Sequence, residues 1–179
     1  AGIPSVVYGF FGLVVIVPMI RNYTAAQGIG GNGQTMLTAS IILGIMILPT
    51  IIGVTESAMR SVPDQYYEGS LALGATKERT IFRIVIPAAK SGVIAGIVLG
   101  IGRAIGETMA VIMVAGNQPR MPQGILEGVR TMTTNIVMEM GYAADLHREA
   151  LIATAVVLFV FILIINACVS LLNRRSEHD

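Results

Sequence analysis

Charged side chains are scarce in this 179-residue sequence: Asp, Glu, Lys and Arg make up 13% of it, against about 25% in soluble proteins. That is too few to coat a globule of this size. Neither sign dominates, since 12 basic residues face 11 acidic ones for a net charge of +1. The concentrated basic surface that nucleic-acid binding requires is therefore missing, and that class is excluded. There is one cysteine, Cys168, and there are two histidines, His147 and His178. A lone thiol closes no internal disulfide, and Cys168 in its apolar run reads as a packing or lipid-facing residue. With both histidines outside the apolar runs, an intramembrane protease or metal enzyme has no base or ligands to work with, so neither metal nor cofactor is expected. Internal repeats and low-complexity linkers are absent. Ala1 follows no methionine and no basic leader, so the first apolar run is expected to be a membrane span rather than a signal peptide, and the chain to be cut from something longer.

Apolar residues, by contrast, are abundant: AVILMFWYC reach 54%, 20 glycines come on top, and the mean hydropathy is +0.73. The implied solvent is lipid. Four apolar stretches, Ile3 to Ile20, Met36 to Val54, Gly92 to Ala115 and Leu151 to Leu172, are each long enough to cross a hydrocarbon core of about 30 Å as a helix. They do not alternate, which argues against a β-barrel. The expected fold is an all-α, polytopic transmembrane bundle of four spans forming one domain over residues 1–179. Ten scattered methionines serve as adaptable packing.

Arg60, Lys77, Arg79, Arg83 and Lys90 lie between the second and third spans, and Arg174 and Arg175 follow the fourth; the other two loops hold Arg21, Arg120, Arg130 and Arg148. Positive charge favours the cytoplasmic side, which puts both ends and the Glu56 to Lys90 segment inside. Outside, Ile125, Val129, Met132, Ile136 and Met140 recur at near-helical spacing and predict an amphipathic helix over Gly124 to Met140. Gly28, Gly30 and Gly33 match G-x-G-x-x-G, but no strand precedes them and Gln34 stands where a phosphate-binding loop has lysine, so they read as an outer turn.

The cytoplasmic segment 62–87, VPDQYYEGSLALGATKERTIFRIVIP, predicts two short helices. Pro63 suits the first turn of one that runs to Leu73, Gly74 suits the left-handed residue that ends it, and Thr76 caps a second that Pro87 stops. Leu71, Leu73, Ile81 and Phe82 then offer apolar anchors at a rigid elbow, fit for a groove on a partner. Glu68-Gly69-Ser70, three residues, Gly74, nine residues and Ile84-Val85-Ile86-Pro87 resemble the E-A-A, x3, G, x9, I-x-L-P signature of ABC importer permeases. Glu68, Gly74, Ile84 and Pro87 match, whereas Gly69, Ser70 and Ile86 depart. The resemblance implies a coupling loop that docks into a separate ATP-hydrolysing subunit.

Arg103 and Glu107 fall within the third span, where each charge costs about 2.5–3.5 kcal/mol at the bilayer centre. If the helix is continuous, both lie within about 80° of the glycine ridge Gly92, Gly96 and Gly100, on a face that packs on protein or lines a cavity. Two readings stand: the pair neutralises itself at i and i+4, or Arg103 offers a fork of donors to an oxyanion while Glu107 holds it. Arg103 to Val111, RAIGETMAV, together with Ile3 to Gly9 and the run VRTMTTNIVMEMGYAADLH, resembles the phosphate-specific ABC permease family, of PstC type. That resemblance implies a type I importer permease with six spans, of which these are the last four, in the inner membrane of a bacterium or archaeon. It also implies inorganic phosphate as substrate, and as partners a pair of ATPase subunits, a second permease and a periplasmic phosphate-binding protein. The chain itself would then be no enzyme. A channel or ion-coupled anion carrier using Glu107 as a proton relay, or a non-transporting assembly subunit, are the alternatives.

Overall fold

A computed structural model describes residues 3–176, with side chains to residue 168. Arg174, Arg175 and His178 therefore lie outside the described side chains. Eight helices follow in order: α1 Ser5–Ala26, α2 Met36–Arg60, α3 Asp64–Ala72, α4 Lys77–Ala88, α5 Lys90–Gly106, α6 Met109–Val114, α7 Met132–Glu139 and α8 Asp145–Ser176. Among the described residues there is no strand, only an isolated parallel bridge between Gly116 and Val129. Three helices are long and apolar enough to cross a membrane: α1, α2 and α8 from Asp145 to Cys168. With α4 and α5 taken as one bent span the number is four.

Two π-helical turns interrupt the α geometry, at Gly12–Ile16 in α1 and Ile81–Val85 in α4. Each directly precedes a proline-bearing turn, with Pro18 in one case and Pro87 in the other. The ring has no N–H and collides with the carbonyl four residues back, so a local shift to wider pairing absorbs both defects. Pro87 does not itself end the helix: α4 runs on to Ala88, and the chain turns through 74° at Ala89 before α5.

The chain packs as two units. The first comprises residues 1–46 and 103–163. Its core is Ile42, Ala110, Val111, Val114 and Ala115 with Val17 and Ala39, so the short helix α6 is the buried centre and α1 lies on it. Close approach depends on two glycines of α1. A Cβ at Gly9 would fall 2.9 Å from the Ala110 Cα and 2.8 Å from the Met113 sulfur, and one at Gly12 would fall 2.9 Å from Val114. The predicted amphipathic helix over Gly124 to Met140 forms only from Met132 onward. Upstream the backbone makes a turn over residues 124–127 and is otherwise non-helical, because it is needed elsewhere: the carbonyls of Glu127 and Ile125 accept from the N–H groups of Met36 and Leu37 at 2.8 and 2.9 Å, capping α2, and the Val129 N–H donates to Ala115. Helix at Ile125 to Val129 would withdraw those acceptors.

The second unit comprises residues 47–102 and those from 164 on. Here the start of α5 rests on the second half of α2: Gly96 and Gly100 are buried, a Cβ at Gly100 would meet Ile51 at 2.7 Å, and one at Gly92 would overlap that of Ala58. The outer faces remain apolar. Only 6% of the α8 span is buried, and Phe159, Phe161 and Leu163 are at least half exposed, as expected of a surface solvated by lipid or covered by another membrane subunit.

Candidate functional site

Two places carry the sequence-predicted site residues: the α3–α4 elbow and the junction of α5 with α6. At the elbow, Pro63 serves as N-cap rather than first-turn residue and Leu73 as C-cap. Gly74 adopts φ +86°, where a side chain would be strained, and Thr76 accepts from the Arg79 N–H at 3.3 Å to start α4. The two helices are pinned by hydroxyls: Ser70 and Thr80, both buried, share a hydrogen bond of 2.8 Å. Sequence reasoning treated Ser70 only as a motif letter and passed over Thr80. Gly69 faces open space, so its difference from alanine is sterically empty. Glu68 is exposed, Ile84 half-buried and Pro87 exposed. Of the four expected anchors only Leu73, 91% exposed, and Phe82, 69% exposed, stand clear, joined by Tyr66. Leu71 and Ile81 are instead half-buried.

The third span is not one helix to Ala115. α5 ends at Gly106, Glu107 and Thr108 leave helical geometry, and α6 begins at Met109. Glu107 is therefore not the i+4 neighbour of Arg103 on a continuous face, and no ion pair joins them among the described residues. Arg103 is exposed. The Glu107 carboxylate turns forward and accepts from the Ala110 N–H at 3.0 Å, capping α6. A glycine followed two residues later by threonine is an ordinary helix stop and restart, and that was the signal available in the sequence.

A broken helix frees backbone groups that hydrocarbon cannot satisfy, so protein must do so. Both ends of α6 are closed in this way. Thr133 donates to the Glu107 carbonyl at 3.2 Å. At the other end Asn117 donates to the Ile112 carbonyl at 2.6 Å and Gln34 to that of Met113 at 3.0 Å. Asn117 itself sits at φ +50°, next to Gly116 at φ +81°. Gly28, Gly30 and Gly31 make the open turn expected before Gln34, whereas Gly33 is pressed against the Val17 carbonyl.

A third constellation was not anticipated. Arg130 donates from Nε to the Asn117 carbonyl at 3.0 Å and from Nη1 to Asn135 and to Glu139, the latter at 2.8 Å. Glu139 also accepts from the Tyr142 hydroxyl and lies 3.7 Å from His147 Nε2. Tyr142, and after it Arg130, hold the Glu139 carboxyl below its usual range against the opposing effect of burial, and the same bond raises Tyr142. Among the described residues no group of histidine, cysteine and carboxylate side chains could hold a metal.

Several membrane-spanning helices, a broken one closed by polar side chains, and an exposed, capped helical elbow define a multi-pass membrane protein. The chain belongs to the family of binding-protein-dependent transport system inner membrane components, whose model matches residues 1–178. It is thus a membrane component of a transport system. It is 42% identical over 171 residues to the probable ABC transporter permease protein YqgH of Bacillus subtilis, covering 92% of this chain and 54% of that one. It is also 37% identical over 196 residues to the phosphate transport system permease protein PstC of Xylella fastidiosa, covering 99% and 60%, and 33% identical to PstC 1 of Mycobacterium tuberculosis, covering 98% and 58%. The chain spans little more than half the length of these relatives. No solved structure matches it.

Proposed function

We propose that the chain is the membrane-conducting portion of a phosphate importer driven by ATP hydrolysis on separate subunits. The observation that carries this reading is the similarity, over nearly the whole chain, to permeases named for phosphate transport. The elbow with Glu68, Gly69, Ser70, Gly74, Ile84 and Pro87 is the coupling element, and Leu73 and Phe82 are the side chains that enter a groove on the ATPase. Its cytoplasmic placement follows from the basic residues clustered around it. A second permease and an external phosphate-binding protein complete the assembly.

Arg103, exposed and unpaired among the described residues, is the candidate to meet the anion in the path. A planar guanidinium can take two oxyanion oxygens at once. Glu107 contributes by fixing the start of α6 rather than by holding Arg103. Gly92, Gly96 and Gly100 let α5 lie close on α2, so that movement at the elbow reaches the Arg103 end of the same helix.

The test is ATP hydrolysis by the full-length permease reconstituted with its second permease, ATPase and binding protein, with Arg103 intact or replaced by alanine. Phosphate should stimulate hydrolysis and sulfate should not, and Arg103→Ala should abolish the stimulation without loss of assembly. Hydrolysis indifferent to phosphate would remove the substrate assignment. Transport without any ATPase bound would favour the channel or carrier.

A further inference from the structure

A cavity of about 330 Å³ opens in the first unit beside Arg130 and Arg120, bordered by Gln118, Asn135 and Thr154. Its charge is one-sided. Arg130 spends Nε and Nη1 on protein oxygens but Nη2 has no acceptor among the described residues. Arg120 donates from Nε to the Gln118 carbonyl oxygen at 3.0 Å, its Nη2 lies 3.7 Å from Glu127, and Nη1 has no acceptor among the described residues.

Those same bonds orient the two amides. Gln118 turns its oxygen to Arg120 and Asn135 turns its oxygen to Arg130, which leaves each NH₂ group as the unspent end. Thr154 has given its proton to the Ala150 carbonyl. No carboxylate lines the cavity among the described residues; Glu127 and Glu139 are outside its lining and lie 3.7 and 2.8 Å from the Arg120 and Arg130 guanidiniums. The unspent donors are thus the N–H groups of two guanidiniums and two amides, while Thr131 and Thr154, their protons given to Thr134 and to the Ala150 carbonyl, present acceptor oxygens, in a space ample for an anion of five heavy atoms and some water.

We infer that this cavity is a capture site for tetrahedral oxyanions, separate from Arg103. The partial neutralisation of Arg130 by Glu139 and of Arg120 by Glu127 keeps the hold weak enough for the anion to move on. Naming phosphate as the physiological anion, and placing the cavity on the outer side, rest on the function proposed above; the cluster of free guanidinium and amide N–H groups does not.

The experiment uses the full-length permease pair in phosphatidylcholine nanodiscs without binding protein, and radiolabelled inorganic phosphate at low ionic strength. Arg130→Gln would break the Glu139 network and endanger folding, so the informative change is Arg120→Gln, on a side chain 64% exposed. Saturable phosphate binding is expected, weakened about tenfold by Arg120→Gln. Unchanged binding in Arg120→Gln overturns the site. Displacement of phosphate when phosphatidylglycerol is added, abolished in Arg120→Gln, overturns it in favour of a lipid headgroup. ATP-driven uptake by the same variants in sealed proteoliposomes, with ATPase and binding protein added, separates the two ideas: phosphate uptake with Arg120→Gln binding normally removes only this site, and bound phosphate without uptake removes only the transport reading.

Discussion

Thr133, in the first turn of α7, donates its hydroxyl to the backbone carbonyl of Glu107 across 3.2 Å, and so closes the gap that opens where α5 stops and α6 begins. A residue 26 positions away in sequence thereby makes a helix break tolerable in a membrane protein. Replacing it by valine keeps the shape and removes the donor. Thr133→Val should lower stability by about 1–3 kcal/mol and Thr133→Ser by much less, measured as thermal unfolding of the full-length permease in detergent. Equal stability of the two variants would mean that the Glu107 carbonyl needs no partner.

The glycines divide sharply by what surrounds them. Gly9→Ala would drive a methyl into the backbone of Ala110 and should cost about 1–3 kcal/mol. Gly69→Ala meets nothing and lies inside α3, so it should gain about 0.5–1 kcal/mol through helix propensity. The same unfolding assay reads both, and opposite signs are expected.

At the elbow, Ser70→Ala strands the buried Thr80 hydroxyl and should loosen the α3–α4 angle, whereas Ser70→Ala combined with Thr80→Val removes both partners and should restore much of the loss. Hydrogen exchange at Leu73 to Thr76 would report the difference. Leu73→Asp, at a side chain 91% exposed, should leave unfolding unchanged yet reduce co-purification of the ATPase at least tenfold if the elbow is the coupling element.

Glu139 and Tyr142 set opposite pH limits. The carboxyl is held below its ordinary value of 4.5, so its stabilisation is present above that value and is lost as pH falls through the lowered one. Tyr142 is raised from 10.0; its share is present below that value and is lost as pH climbs through the raised one. Glu139→Gln should therefore be less stable than wild type at neutral pH, with the gap closing on acidification below about 4.5. A gap independent of pH in that window would show that the carboxylate charge is immaterial.

Much of the architecture was legible in the chain itself. Hydrocarbon thickness demands long apolar runs, and they were there to count; the left-handed Gly74 and the capping Thr76 announce a turn because few other residues tolerate those places. These signals are local, which is why they can be read one residue at a time. The break at Glu107 was half legible, in Gly106 and Thr108, but hydropathy runs unbroken through it and hid the stop.

What only the tertiary structure decided is how each polar group is spent. Composition placed Arg103 and Glu107 in a span and left their pairing open; the fold gives Glu107 to the N–H of Ala110 and leaves Arg103 exposed. Ile125 to Val129 carry a helical pattern, yet they form a turn and irregular backbone because α2 needs the carbonyls of Ile125 and Glu127. Arg130 and Glu139, unremarkable letters between the last two apolar runs, become an ion pair at 2.8 Å that fixes Arg130 at the edge of a polar cavity. Apolar burial is additive and can be summed along a sequence, whereas a hydrogen bond exists only when two particular groups meet, and where they meet is fixed by packing.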